Sequence, residues 1–278
     1  MDAQGVFDRA RSLEDEGRLD EAVEEYTKVV RLSPREIAPY RRLFDIHLHR
    51  RTVDAAWCAA SMMAALDDIE DDARELLEDY TPRRLPVVGR LDPSDWHLVR
   101  DAGEDIEVAP LAVLRSAVKP PPITDVPAFD SAVVKWAADT LGAKESLVVT
   151  DPEIAPRSSL DAVHRMFTLR ERLFFAGREA TAFLGPYYEV RRCSRRELTK
   201  GLGAQAQGDV VAWHKAVANT RVRAGLLICG EPLVAYRLLQ AESADEELLG
   251  EVAAFTVSTV HQKLREKLGW AAGKNADV

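Results

Sequence analysis

Over the first eighty residues apolar and polar positions alternate with a period near 3.6, the spacing that gives each helix one apolar stripe. Ala10, Leu13, Ala22, Tyr26 and Val29 carry the stripe through two helices that meet at Gly17, and Pro34 closes the pair. Tyr40, Leu43, Phe44, Ala56, Ala60 and Met63 continue it through a second pair, and Asp20-Glu21-Ala22 recurs as Asp54-Ala55-Ala56. Short side chains at Ala22, Ala56 and Ala60 let the helices of a hairpin approach closely. A further helix is expected over about 68–80. The acidic run Asp67-Asp68-Ile69-Glu70-Asp71-Asp72 at its start suits the positive end of the helix dipole. That run lacks the central glycine and terminal glutamate of a calcium loop.

Prolines punctuate the middle of the chain. Pro82 to Pro93, and then Pro120-Pro121-Pro122 with Pro127, fence off a short helical stretch. Within it, Ser94 or Asp95 can cap a helix that carries Trp96 as an interior anchor, and 111–118 has the spacing of another. Val133, Val134, Trp136, Ala137 and Leu141 mark a helix over 129–141 that Gly142 ends, and Ser146-Leu147-Val148-Val149-Thr150 reads as a strand. A long apolar helix covers 173–184. A final one covers 245–268, with Leu249, Val252, Ala253, Val257, Val260, Leu264 and Leu268 along one stripe. The expected fold is mostly all-α with minimal β-structure. Its expected modules are repeats over 1–83, a connecting helical segment over 84–122 and a helical domain over 123–278.

The recurrence has a period of about 34 residues, with Gly17 and Pro34 at the turns, and it resembles tetratricopeptide repeats over about residues 4–70. The second copy departs from the pattern at Arg51 and Asp68. The resemblance implies that the first helix of each repeat lines a concave face, where Phe7, Arg11, Arg41 and His49 would meet a partner segment. Two repeats fall short of the roughly three needed for independent stability, so this module is expected to lean on the rest of the chain.

A second resemblance lies further on. Arg178-Glu179-Ala180-Thr181-Ala182 sits inside an apolar helix with a glutamate in the register of an H-E-x-x-H zinc site, but Arg178 and Ala182 stand where the histidines would be. Ala218-Asn219-Thr220-Arg221-Val222-Arg223-Ala224-Gly225-Leu226-Leu227 resembles the downstream helix of the HtpX-like and C-a-a-X prenyl-protease superfamily. There Ala218 takes the place of the third-ligand glutamate and Val222 that of an aspartate. Gly230-Glu231-Pro232-Leu233-Val234-Ala235 also looks like that family, and the likeness spans about 125–270. It implies a degenerate peptidase-like domain with no metal, no cofactor and no catalytic residue, in which Glu179 pairs with Arg178, Arg172 or another nearby base instead of activating metal-bound water.

Composition narrows the picture without naming an activity. The 278 residues are 46% hydrophobic and 30% charged, the profile of a folded globular protein, and the net charge of −9 argues against whole-surface attraction to nucleic acid or anionic lipid. Locally, Arg165 to Lys200 holds nine Lys/Arg against four Glu, and Tyr187 and Tyr188 beside Arg191 and Arg192 form its best aromatic and basic cluster. Helical faces with neutralising pairs explain this segment more simply than a nucleic-acid face.

His47, His49, His97, His164, His214 and His261 include no pair three or four apart, so a metal site would need distant residues such as His164, Cys193 and His214. Cys58, Cys193 and Cys229 make no C-x-x-C pair, and no glycine-rich phosphate loop or nucleophile elbow occurs. No apolar run reaches the ~18 residues of a membrane span, and Met1-Asp2-Ala3-Gln4 does not open a signal peptide, so a cytoplasmic protein without a membrane partner is expected. The functional expectation is a non-catalytic scaffold or adaptor that binds protein partners. The alternative is a metal-dependent hydrolase or peptidase with a relocated or unrecognised active site.

Overall fold

A computed structural model describes residues 2–81, 89–106, 109, 113, 131–143, 167–181, 184, 195–203, 206 and 208–272. Among the described residues the chain is all-α, with thirteen α-helices, two short 3-10 turns and no strand. The strand expected over 146–150 lies outside the described residues, as does all of the helix expected over 111–118 except Val113.

The chain forms two compact units: Met1–Gly89 together with Gly230–Val278, and Arg90–Cys229. Residues 230–272, expected to belong with 123–229, instead pack on the N-terminal helices. The apolar faces of those N-terminal helices need a cover, and the C-terminal helices supply it.

The first unit begins with α1 (Ala3–Asp15), α2 (Leu19–Leu32), α3 (Ile37–His49), α4 (Val53–Ala65) and α5 (Asp71–Tyr80). Ala3, Ile37 and Asp71, which start α1, α3 and α5, are evenly spaced, and Leu19 and Val53, which start α2 and α4, are separated by the same step. Backbone geometry repeats as well. Gly17 turns the chain with φ 76°, and Arg51, its counterpart one repeat later, adopts φ 57° in the same left-handed region. That conformation costs a side chain about 1–2 kcal/mol.

Val6, Ala10 and Leu13 of α1 meet Ala22, Val23, Tyr26, Val29 and Val30 of α2 in the buried seam of the first hairpin. α4 is buried on nearly every side, including Trp57, Met62 and Met63, as befits a helix surrounded by α3, α5 and the C-terminal helices.

Three helices complete this unit: α11 (Pro232–Ala241), α12 (Glu246–Thr256) and α13 (Thr259–Leu268). α11 packs on α4, and α12 packs on α2. Gly250 is the point where α12 crosses α2, because a Cβ there would stand 2.2 Å from the Arg31 carbonyl oxygen. The Pro34 carbonyl that ends the first hairpin accepts hydrogen bonds from both the Tyr40 and Tyr236 hydroxyls, at 2.8 and 3.4 Å. The single helix expected over 245–268 is in fact two. The apolar stripe runs through the break, but the first helix ends at Thr256 with Val257 as its C-cap, and Ser258 caps the next, its hydroxyl accepting from the His261 amide.

Arg265 ties these pieces together. Only 1% exposed, it donates to both Asp54 carboxylate oxygens from Nε, at 2.9 and 3.1 Å, and to Oδ1 again from one terminal nitrogen. Its other donors reach the Gly230 and Trp270 carbonyls, both at 2.8 Å, and its plane lies 4.7 Å from the Trp57 ring centre. The Ala272 amide adds a further bond to Asp54, at 2.7 Å. One guanidinium therefore joins the first turn of α4, the residue entering α11 and the end of α13.

The second unit contains α6 (Trp96–Val99), α7 (Ser131–Thr140), α8 (Leu169–Ala180), α9 (Arg195–Leu202) and α10 (Val210–Cys229). Asp92, rather than Ser94 or Asp95, caps the turn leading into α6, accepting from the Ser94 amide at 2.8 Å. Trp96 is half-buried, and the larger anchor is Trp213, packed with Ala109, Leu198, Leu202, Val210 and Val217. α8 starts at a capping box of Thr168 and Glu171, one turn earlier than its apolar run suggests. It packs closely against α10. Gly177 and Gly225 make that approach possible, because a Cβ on Gly177 would lie 2.6 Å from the Ala224 oxygen and one on Gly225 2.8 Å from the Phe174 oxygen.

Three stability changes follow, each read from urea denaturation. Arg265→Met is expected to cost about 3–5 kcal/mol by stranding the Asp54 carboxylate, with much of that recovered when Asp54→Leu is added. Arg51→Gly should stabilise by about 0.5–1 kcal/mol, since relief of the left-handed strain outweighs the extra chain entropy of glycine. Gly225→Leu should lose about 3 kcal/mol or more because α8 and α10 cannot close over it.

Candidate functional site

Two places gather the residues that the sequence singles out: the face of α1 and α3 in the first unit and the α8–α10 pair in the second. On the first, Phe7 is half-buried with its ring edge-on to Tyr26 at 5.5 Å, so it is a partner of the hairpin core as well as of the surface. Arg11 and His49 are exposed. Arg41 is engaged with Asp68 at 2.9 Å and Glu70 at 3.0 Å, which fixes it across the turn into α5.

Three residues that the sequence reading passed over organise this face. Glu14 accepts from the Tyr26 hydroxyl at 2.7 Å and is forked by Arg42, which also reaches Asp45 at 3.4 Å. Desolvation by its neighbours raises the exposed Asp45 carboxyl above its usual range; Arg42 opposes this, and Glu70, Asp72 and Glu14 add to it. A signal for Asp45 was present, since it is the repeat counterpart of Arg11, just as Arg41 is of Phe7. The face thus carries carboxylates from α1, α3 and α5 around two arginines that are already paired.

The second place is defined by the glycine crossing. Arg178 lies on the α10 side of α8, its Cγ 3.0 Å from where a Cβ of Gly225 would be. Its guanidinium sits 5.6 and 6.0 Å from the ring centres of Phe174 and Phe175. Glu179 forms a hydrogen-bonded ion pair with Arg221 of α10. A base that takes Glu179 is therefore supplied by the facing helix, within the expectation of Arg178, Arg172 or another nearby base.

Ala218 is half-buried and Val222 buried. Asn219, Thr220 and Arg223, unlike Arg221, turn toward Asp101. Asn219 donates to Asp101 at 2.9 Å, the Thr220 hydroxyl accepts from the Asp101 amide at 2.9 Å, and Arg223 stands 3.6 Å from the same carboxylate. Ala182, Tyr187, Tyr188, Arg191 and Arg192 lie outside the described residues, as do His164 and Cys193.

Among the described residues no group of three or more His, Cys, Asp and Glu side chains is placed to hold a metal ion. Cys58 and Cys229 are buried free thiols, and burial pushes the Cys58 thiol well up, away from reactive thiolate chemistry. A pocket of about 320 Å³ opens at the amino end of α4, lined by Arg51, Thr52, Val53, Asp54 and Ala55 with Gln262, Glu266, Ala271 and Ala272. The Asp54 carboxylate in its wall is taken up by Arg265 and the Ala272 amide.

Beneath that helix start, His47 Nδ1 lies 2.9 Å from the Thr52 hydroxyl oxygen; burial, helped by Arg50, lowers its pKa to about 4. His261 donates from Nδ1 to the Thr256 carbonyl at 2.9 Å, and burial, helped by Arg265, lowers its pKa to about 3. Both rings are held neutral, with Nε2 buried and unpartnered.

No known protein family, curated protein or solved structure matches this chain. No helix among the described residues is long and apolar enough to cross a membrane.

The two histidines set a pH dependence. Their folded pKa values lie below the ordinary ~6.5 of the unfolded chain, so below that pH the unfolded state binds protons that the folded state refuses. Their contribution is complete above about pH 6.5 and shrinks as pH falls toward 4 for His47 and 3 for His261. At pH 5 the loss is about 2 kcal/mol for each ring. Urea titrations at pH 7 and pH 5 should show it, and His261→Asn should flatten the slope between them.

Proposed function

We propose that this protein is a non-catalytic scaffold or adaptor that binds a protein segment along the α1/α3 face of a tetratricopeptide-like array. The observation that carries the reading is the even spacing of helix starts, with a left-handed turn at the same place in each hairpin. A stack with that period buries one side and offers the other to partners. Here α11 and α12 cover α4 and α2, the second helices of the hairpins, leaving the first helices to carry Arg11, Asp45 and His49 in the open.

The α8–α10 pair serves this reading as a structural core derived from, or imitating, a peptidase site without its ligands. The packing of two helices through Gly177 and Gly225 and the capture of Glu179 by Arg221 support it, because a carboxylate held in an ion pair is a poor base for activating water.

Selection of binding peptides from a displayed library, with the full chain as bait, supplies a probe whose affinity is then read by fluorescence anisotropy. Arg11→Glu with Asp45→Lys is expected to weaken binding at least tenfold, and Glu179→Gln is expected to leave it unchanged. Undiminished binding by the double variant would remove the α1/α3 face from the account. Cleavage of the peptide by the wild-type chain but not by Glu179→Gln would replace the scaffold with an enzyme.

A further inference from the structure

We draw no further inference here: the strongest candidate, the pocket at the amino end of α4, is a helix N-terminus without a second observation pointing to a ligand, since Gln262, which supplies the unpartnered amide nitrogen among its lining residues, is only half-buried.

Discussion

The fold of the first unit depends on a charge taken out of water. Arg265 can be buried only because every direction its guanidinium points in is met by an acceptor or an aromatic face: Asp54 twice over, the Gly230 and Trp270 carbonyls, and Trp57. Such a pair contributes little net stability compared with an apolar filling, but removing one member leaves an uncompensated charge. Its consequence is specificity of arrangement. The residue entering α11, the end of α13 and the first turn of α4 must all be in place for the charge to be satisfied. Two segments at opposite ends of the chain, one carrying Asp54 and the other Arg265, are thereby held in a single register.

Around that constraint the rest of the unit is ordinary apolar packing. Helices whose stripes recur with the repeat period lay down a two-sided layer, and two hairpins bury too little surface to stand alone. Gly250 lets α12 approach the end of α2 at backbone contact, and Tyr236 reaches back to the carbonyl that closes the first hairpin. The C-terminal helices therefore cover the apolar faces of α2 and α4. The second unit solves its own packing problem with glycines instead of a buried charge, and its polar residues on α10 are taken up by Asp101 and Glu179.

Much of this was legible in the sequence where one residue type has one physical reason to be present. The all-α class, the hairpins of the first eighty residues, the turn at Gly17 and the helix ended by Gly142 follow from local periodicity and turn chemistry. The pairing of α8 with α10 was not read from the sequence, because the close approach of Gly177 and Gly225 depends on which helix faces which. The capture of Glu179 by a base was also legible, although not which base, because a salt bridge between helices depends on their rotation about the crossing. Long-range ties were not legible. Nothing local marks Arg265 as a core residue, since an arginine at that helical position reads as solvent-facing until Asp54 and Trp57 are known to face it. The membership of 230–278 in the first unit was hidden for the same reason, and so was the break at Ser258, which lies on an uninterrupted apolar stripe.

The central claim is that residues 1–89 and 230–278 form one cooperative body. Native-state hydrogen exchange of the intact chain at increasing urea tests it most directly. The account predicts that α2, α4, α11 and α12 open with a common free energy and a common denaturant dependence, with the amides of α4 among the slowest. Exchange of α11–α13 at a lower free energy than α1–α4, with its own denaturant dependence, would contradict it.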